Sequence, residues 1–481
     1  MKQIELPRDV DAAPDRTTCA LPPSRYRRLS LLLVPALASA AILVATWVAP
    51  SIPALRDLLP TSDVGAALWL LGKLLAAAAL AMFSWRIVLA SRYRPAPGLA
   101  DEHLPAITVV VPAYNEGAQV FHTLRSILAS DYPAHKLNVV AVDDGSRDDT
   151  WAWIRAASAA AHGRIATIHY PRNRGKRYAL DCGFEASTGD VVVTIDSDSE
   201  VAIDTLRNLV SPFADRRVGA VAGNVRVLAR VGGAIARMLD CAFTYSFDFI
   251  RAAQSELDTV MCTPGALSAY RRDLVMAVRE RWLGQTFLGV PANIGEDRAM
   301  TNLILREGYF VKYQSNARVF TDVPTTLPKL ARMLLRWARS NVRESWVMAT
   351  FIWRRFRPSS ALGARLQFAF HGFTLLWASV AWIPLVAALV AAPALGAAAL
   401  AAGFALGGLA PALVYVLIRN DRRRALWAFV YAPYSVFALG WIKPYALATA
   451  RRNGWLTRGA ATAPRATVAS NAREMGALRA S

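Results

Sequence analysis

The chain has 481 residues, enough for about three domains or layers. It carries 55 Lys and Arg against 35 Asp and Glu, a formal charge of +20 and a pI near 10.3, yet only 19% of residues are charged and 54% are hydrophobic. The apolar residues come in long blocks. This excludes a polar, disordered basic tail protein and an ordinary soluble enzyme, and it favours a membrane protein over a nucleic-acid binder.

Residues 1–28 read as a cytoplasmic tail and 29–94 as two transmembrane helices. Residues 29–55 carry no charge, and about 20 helical residues cross a hydrocarbon core, so one span is expected there. A signal peptide is the alternative, but no clear small-residue cleavage pattern follows the run. The second stretch, 64–85, is interrupted only by Lys73, which either reaches toward the interface or faces a substrate path. Arg25, Arg27 and Arg28 precede the first span, and Arg86, Arg92 and Arg94 follow the second. The positive-inside rule then puts the N-terminus and everything after Arg86 in the cytoplasm.

Residues 95–325 read as one α/β domain. Strands are expected at 107–112, 137–142, 164–169 and 190–195, with helices at 117–130, 149–162 and 180–186. Such alternation predicts a mainly parallel sheet that binds its ligand at the carboxyl ends of the strands. Three acidic motifs sit at such ends or turns. Asp143-Asp144-Gly145-Ser146 can accept hydrogen bonds from a base or ribose, or can simply cap the next helix. Asp196-Ser197-Asp198 can hold a hard divalent cation against a diphosphate, since Mg²⁺ takes one or two carboxylates plus phosphate oxygens. The same pattern also occurs in solvated turns. Glu296-Asp297-Arg298 lies in a polar turn before a helix at 299–307 and offers a general base for a sugar hydroxyl, or a capping box. Between the first two motifs, Asn173-Arg174-Gly175-Lys176-Arg177 is either a pyrophosphate-neutralising turn or a solvated basic one. The cysteines Cys19, Cys182, Cys241 and Cys262 form no metal-type or disulfide spacing.

Residues 326–360 read as amphipathic interfacial helices. Over 327–343, Leu330, Met333, Leu334 and Trp337 form an apolar stripe, and Arg332, Arg336, Arg339 and Arg343 a basic one. This suits the anionic membrane surface. A second such helix is expected at 345–357. Residues 361–450 form the C-terminal membrane region. No charged residue occurs from 366 to 418, which is too long for one span and predicts two with a turn near Pro393. Residues 425–449 contain Pro433 and Pro444 and are expected to break into a re-entrant or interfacial pair. The tail, 451–481, is basic and is placed in the cytoplasm.

Taken together, the motifs are far more specific than any one. They run Val-Pro-Ala-Tyr-Asn-Glu at 111–116, Asp-Asp-Gly-Ser at 143–146, Gly-Lys-Arg at 175–177, Asp-Ser-Asp at 196–198, Ser-Ala-Tyr-Arg-Arg at 268–272, Gly-Glu-Asp-Arg at 295–298 and Arg-Trp at 336–337. This order resembles the membrane-embedded family 2 glycosyltransferases with a GT-A fold, the hyaluronan, chitin-oligosaccharide and cellulose synthases. Segments at 251–255, 285–289, 313–315 and 321–324, with Trp455-x-Thr457-Arg458 near the C-terminus, look most like bacterial hyaluronan synthase.

The resemblance implies a cytoplasmic GT-A domain inserted between N-terminal and C-terminal transmembrane helices of an inner-membrane protein. It implies a processive, inverting transferase that uses Mg²⁺ or Mn²⁺, a UDP-sugar donor and a growing polysaccharide acceptor amid membrane lipids. It also implies roles. Pro112, Tyr114, Glu116, Asp143, Asp144, Lys176, Arg177 and Asp196 would surround the UDP-sugar, with Arg336, Trp455, Thr457 and Arg458. Asp198, helped by Asp196, would ligate the metal. Asp297 would be the base, beside Glu296, and Arg336 and Trp337 would close over donor and acceptor. Two departures stand out: no Gln precedes Arg336-Trp337, and Thr263-Pro264-Gly265-Ala266 replaces the usual Ser-Gly-Pro. Both lie near the acceptor in the family, so they bear on sugar identity. The alternatives are a chitin-type or mannuronan-like exopolysaccharide synthase and, in another class, a catalytically silent scaffold or nucleotide-sensing subunit of an export complex.

Overall fold

A computed structural model describes residues 81–452 except 229, 381–385, 387, 388, 391 and 392. The expected span at 29–55, most of the stretch 64–85 with Lys73, and Trp455, Thr457 and Arg458 lie outside the described residues.

The centre of the molecule is a mixed eight-stranded sheet. Its strands are β1 (Ile107–Ala113), β2 (Leu137–Asp143), β3 (Ile165–His169), β4 (Val191–Thr194), β5 (Ser199–Val201), β6 (Val218–Val227) and β7 (Ser268–Arg271), and the separate hairpin β8 (Thr286–Phe287) with β9 (Val290–Pro291) precedes the last strand, β10 (Phe310–Thr321). The order across the sheet is β3-β2-β1-β4-β7-β6-β10-β5. The first four strands are parallel, as the alternation predicts, whereas β7 runs antiparallel to both β4 and β6, and β5 antiparallel to β10. Every residue of β1 is buried. An unbroken apolar run such as Ile107–Val111 fits a strand covered by helices on both faces.

Those helices are α1 (Gln119–Leu128), α2 (Thr150–Ala160), α3 (Lys176–Glu185), α4 (Thr205–Val210), α5 (Ala234–Thr244), α6 (Ala252–Ser255), α7 (Arg272–Leu283) and α8 (Glu296–Arg306). A π-helical turn, Tyr245–Arg251, joins α5 to α6. Two helices start earlier than expected. Helix α3 opens at Lys176 rather than 180, directly after Gly175 at φ 99°. Helix α8 opens at Glu296 rather than 299 and takes both acidic residues into its first turn. Carboxylates are favoured there by the free amides and the positive end of the helix dipole.

The interfacial segment differs more. A single helix, α9 (Leu327–Ala349), covers all of the first expected helix and only the first five residues, 345–349, of the second. No Gly or Pro interrupts it after Pro328. It stops at Thr350, and residues 350–357 are turn and irregular rather than helical. Pro358, which disfavours helix at the residue before it, follows directly. Only half of its basic stripe is exposed to a surface: Arg332 is exposed and Arg336 partly so, whereas Arg339 and Arg343 are 3% and 0% exposed. Arg343 donates to the Ile294 carbonyl. The neighbouring Glu344 accepts from Gln285 at 2.9 Å and Asn302 at 3.0 Å. A buried charge needs such bonds, since an unpaired one costs several kcal/mol. They fasten α9 to α8 and to the segment before it.

The last helices are α10 (Leu362–Val380), α11 (Pro393–Arg419), α12 (Arg422–Ala425), α13 (Trp427–Phe437) and α14 (Ile442–Ala448). Pro393, near which a turn is expected, is the first residue of α11, and most of residues 381–392, between α10 and α11, lie outside the described residues. Among the described residues, one helix, Gly396–Arg419, is long and apolar enough to cross a membrane. Arg422–Phe437 and Ile442–Ala448 form a second candidate, bent by 43°, in the segment where the two prolines predict a break. The sheet domain is tied to this region by Tyr415, whose hydroxyl donates to Asp240 of α5 at 2.6 Å. Helix α9 is tied to it by Arg339, which donates to Thr449 at 3.1 Å.

Candidate active site

The parallel registers bring the motifs together. Ala113 at the end of β1 pairs with Asp143 at the end of β2, and Thr194 at the end of β4 pairs with Val110. Residues that follow these strands therefore emerge at one edge of the sheet. Pro112 is buried in β1 and serves the strand. Beyond it, Glu116 accepts a bond from Ser197 at 3.0 Å, which links the 114–116 turn to the Asp196–Asp198 turn. Tyr114 lies on the same turn, half-buried.

The two carboxylates of the first motif do different work. Asp143 is fully buried. Its Oδ1 accepts from the Ser146 amide at 3.2 Å and from the Ser146 hydroxyl, and its Oδ2 sits 2.7 Å from His169 Nδ1. The His169 ring stacks on Trp151 at 4.8 Å. Asp143 thus ties β2 to β3, and both oxygens are engaged inside the protein. Asp144 accepts from the Arg174 amide at 2.8 Å, the Gly175 amide at 2.8 Å and Asn173 Nδ2 at 2.9 Å. Burial pushes its carboxyl up to about 6 even though these amides favour the ionised form. It therefore shapes the turn that delivers Lys176.

Lys176 and Arg177 part company because neighbours on a helix point about 100° apart. Lys176 Nζ lies 2.5 Å from Asp196 Oδ1 and 3.1 Å from Glu296 Oε1. Burial alone would favour the neutral amine, but Asp196, Glu296 and Asp297 outweigh it and hold the ammonium charged. Arg177, expected at a pyrophosphate, instead turns inward. It donates to the Trp282 carbonyl and to Gln285 at 3.2 Å, with its guanidinium 5.1 Å from the Trp282 ring. It is a packing residue in this structure.

Glu296 and Asp297 are adjacent buried acids with opposite responses. Burial would raise the Glu296 carboxyl, but Lys176, its own backbone amide and Arg336 hold it well below the usual carboxylate range. Burial, and then the Glu296 charge, push Asp297 up, to about 6. A carboxylate pair whose affinities for protons are driven apart is the arrangement that separates an electrostatic role from a proton-accepting one. Asp297 is also fixed in place. Its Oδ1 accepts from the Arg298 amide at 2.7 Å and its Oδ2 from the Gly265 amide at 3.3 Å. Cys262 Sγ lies 3.8 Å from Oδ2.

Any side chain at Gly265 would have to displace the ammonium end of Lys176. A Cβ there would lie 2.7 Å from Lys176 Nζ and 3.5 Å from the Asp196 carboxylate. Sequence reading missed Cys262 and His169 as parts of the site, and had Asn173 only within the basic turn 173–177 and Gly265 only within the altered turn 263–266. The altered turn at Thr263–Ala266 was the available signal, but its contact with Asp297 could not be read from spacing.

The acidic pair after β4 fits a hard divalent cation. Asp198 Oδ1 is oriented by the hydroxyls of Ser199 at 3.0 Å and Thr321 at 3.2 Å, and Asp196 is partly exposed and rests on Lys176. Among the described residues no cluster of three or more His, Cys, Asp or Glu could enclose a metal alone. Phosphate oxygens and water would complete the shell, which suits Mg²⁺ or Mn²⁺.

Helix α9 closes the arrangement. Arg336 acts on Glu296. The next residue, Trp337, is 41% exposed, with its ring 6.3 Å from that of Phe243 on α5. An exposed indole beside a polar site offers a stacking face for a sugar ring.

A family model described as glycosyl transferase family 2 matches residues 108–279, a stretch that holds the first two acidic motifs and stops short of Asp297. An N-acetylglucosaminyltransferase of Rhizobium meliloti (strain 1021) is 31% identical over 367 residues, covering 74% of this chain and 82% of that protein. A hyaluronan synthase of Streptococcus pyogenes is 36% identical over 258 residues, covering 53% of this chain and 60% of that protein. Among solved structures, a mannosyltransferase from Pyrobaculum calidifontis in complex with GDP-Man and Mn²⁺ superposes with a TM-score of 0.51 at 26% identity, covering 76% of this chain and 99% of that one.

Proposed function

The chain belongs to glycosyl transferase family 2, and from that premise we propose that it is a processive synthase that lengthens a β-linked polysaccharide from UDP-sugars. The proposal takes UDP-N-acetylglucosamine as one donor, in keeping with the Rhizobium relative, and UDP-glucuronate as a second, in keeping with the streptococcal one. The observation that carries it is the convergence of Lys176, Asp196, Glu296 and Asp297 from three separate elements, α3, the turn after β4, and α8.

In this reading Asp144 and the Asn173–Gly175 turn face the uridine. Lys176 and Arg336 bind the diphosphate. Asp198 and Asp196 would hold the Mg²⁺ or Mn²⁺, which supplies positive charge to the leaving diphosphate. The acceptor hydroxyl approaches the anomeric carbon from the side opposite UDP and passes its proton to Asp297 as the new bond forms. Attack from that side inverts the anomeric centre, so an α-linked donor gives a β-linked product. Trp337 stacks on the acceptor sugar. We assign the protein to the inner membrane with its sheet domain cytoplasmic and with several spans, so that a polar product can leave beside α10 and α11. Asp143, both of whose oxygens are engaged inside the protein, and Arg177, whose two terminal nitrogens are bonded to Trp282 and Gln285, are left out of the donor site.

The test is a membrane assay with UDP-N-acetylglucosamine alone, UDP-glucuronate alone, and both. Long polymer only with both donors supports a hyaluronan-type product. Short oligomers from UDP-N-acetylglucosamine alone would make the product chitin-type. Incorporation of neither sugar would refute the proposal.

A further inference from the structure

The loop that brings Gly265 to the base is anchored by a chain of buried hydroxyls with no part in the roles above. Thr263 and Thr301 are fully buried and Tyr270 is nearly so. Thr301 Oγ1 lies 2.8 Å from the Asp297 carbonyl oxygen, 2.8 Å from Thr263 Oγ1 and 3.1 Å from the Thr263 amide. Thr263 Oγ1 lies 2.8 Å from the Tyr270 phenol oxygen.

These contacts fix every proton. A carbonyl can only accept, so Thr301 directs its single hydroxyl proton to Asp297. It then has none left for Thr263, which must donate its own hydroxyl proton to Thr301. Tyr270, in turn, must donate to Thr263. The chain runs one way, from Tyr270 on β7 through Thr263 to Thr301 on α8, and it ends on the residue that carries the base. Aligned hydroxyls of this kind strengthen one another in a buried setting and are costly to leave half satisfied.

Its outlet is the loop. Two residues beyond Thr263, the Gly265 amide donates to Asp297 Oδ2. The turn between them is tightened by Ser268 Oγ, which donates to the Pro264 carbonyl at 2.6 Å. The loop therefore cannot settle elsewhere unless Thr263 lets go of Thr301. We propose that Thr301, acting through Thr263, is a positioning residue that holds the Gly265 amide on Asp297 and so fixes the carboxylate in the rotamer that receives the acceptor's proton. The inference rests on Asp297 being the base. It also gives the departure at Thr263–Ala266 a meaning: Thr263 faces inward, toward Tyr270 and Thr301, rather than toward an acceptor sugar.

The test uses the full chain in detergent or nanodiscs, with UDP-N-acetylglucosamine as donor and divalent metal present. Thr301→Val, which keeps the shape and removes the hydroxyl, is expected to lower kcat about 10- to 100-fold, the scale of a misplaced reacting group. The donor KM is expected to stay within about twofold, because Lys176, Asp196 and Asp198 are held by other elements. Thr301→Ser keeps the hydroxyl and is expected to restore kcat. Amide exchange over residues 263–268 should speed up about three- to tenfold in Thr301→Val, the equivalent of one lost hydrogen bond. Tyr270→Phe removes only the first donor and should move both readouts the same way by less, which keeps the test alive if Thr301→Val does not fold.

Unchanged kcat in both variants, kcat and KM moving together, or failure of Thr301→Ser to rescue would overturn the inference. An active Asp297→Asn would remove the base reading and this inference with it. An inactive Asp297→Asn beside a fully active Thr301→Val would overturn this inference alone.

Discussion

At Asp297, two effects compete. Burial and the Glu296 charge favour the protonated acid, while Lys176 and the Arg298 amide favour the carboxylate, and the first pair wins. The proposed base must be ionised to accept a proton, so activity should fall as the pH drops through the raised Asp297 value. The acidic limb of the kcat/KM profile is therefore expected near pH 6 rather than near the ordinary aspartate value of 3.8. Lys176→Met should move that limb higher still, since it removes a charge that favours the carboxylate; a limb that stays put or moves lower would contradict the electrostatic account. Asp198→Asn tests the other carboxylate. It removes one hard anionic ligand of the proposed metal site and should weaken metal-dependent UDP binding at least about tenfold while leaving metal-free binding unchanged. Equal UDP affinity with and without the mutation, in the presence of Mg²⁺ or Mn²⁺, would remove Asp198 from the metal site.

Between elements, the decisive joint is where α9 meets the start of α8. Gly295 sits at φ +79°, and a Cβ there would lie 1.9 Å from Ser340 Oγ and 2.8 Å from Ser340 Cβ. Only glycine accepts both the left-handed backbone and this approach. Gly295→Ala combines about 1–2 kcal/mol of backbone strain with a steric clash. It should push α9, with Arg336 and Trp337, away from Glu296. We expect turnover to drop about tenfold or more and Ser340→Gly to recover part of it, because it clears the space without curing the backbone. Full activity in Gly295→Ala, measured as UDP release, would show that this joint does not set the site.

The same element shows what could and could not be read from sequence. The parallel half of the sheet was legible because 107–112, 137–142 and 190–195 are mostly apolar runs bounded by turn residues, and the candidate site motifs follow those runs. The burial of Arg339 and Arg343 was not legible. A basic stripe on a helix reads the same whether it meets lipid headgroups or buried carbonyls such as that of Ile294. Arg177 was misplaced for a related reason: a three-residue Gly-Lys-Arg run does not reveal that the helix begins at Lys176 and sends the next side chain inward. Asp143 looks like a ligand in sequence, and only the His169 contact shows that it joins two strands.

Across the whole molecule, the sheet domain and the apolar C-terminal helices form one connected body. The Asp240–Tyr415 bond links α5 to α11, and the Arg339–Thr449 bond links α9 to the end of the chain's described residues. The Arg-Trp helix thus lies between the carboxylate cluster and the helices that the proposal places in the membrane, where a growing chain would pass from one to the other. The central claim is that this body transfers sugar with Asp297 as its base. It is tested most directly by UDP release from UDP-N-acetylglucosamine with the purified full chain, wild type beside Asp297→Asn, together with direct UDP binding to each. The account predicts a turning-over wild type and a loss of about 10²- to 10⁴-fold in Asp297→Asn, with UDP binding nearly intact. An Asp297→Asn protein that keeps more than about a tenth of wild-type turnover would contradict it.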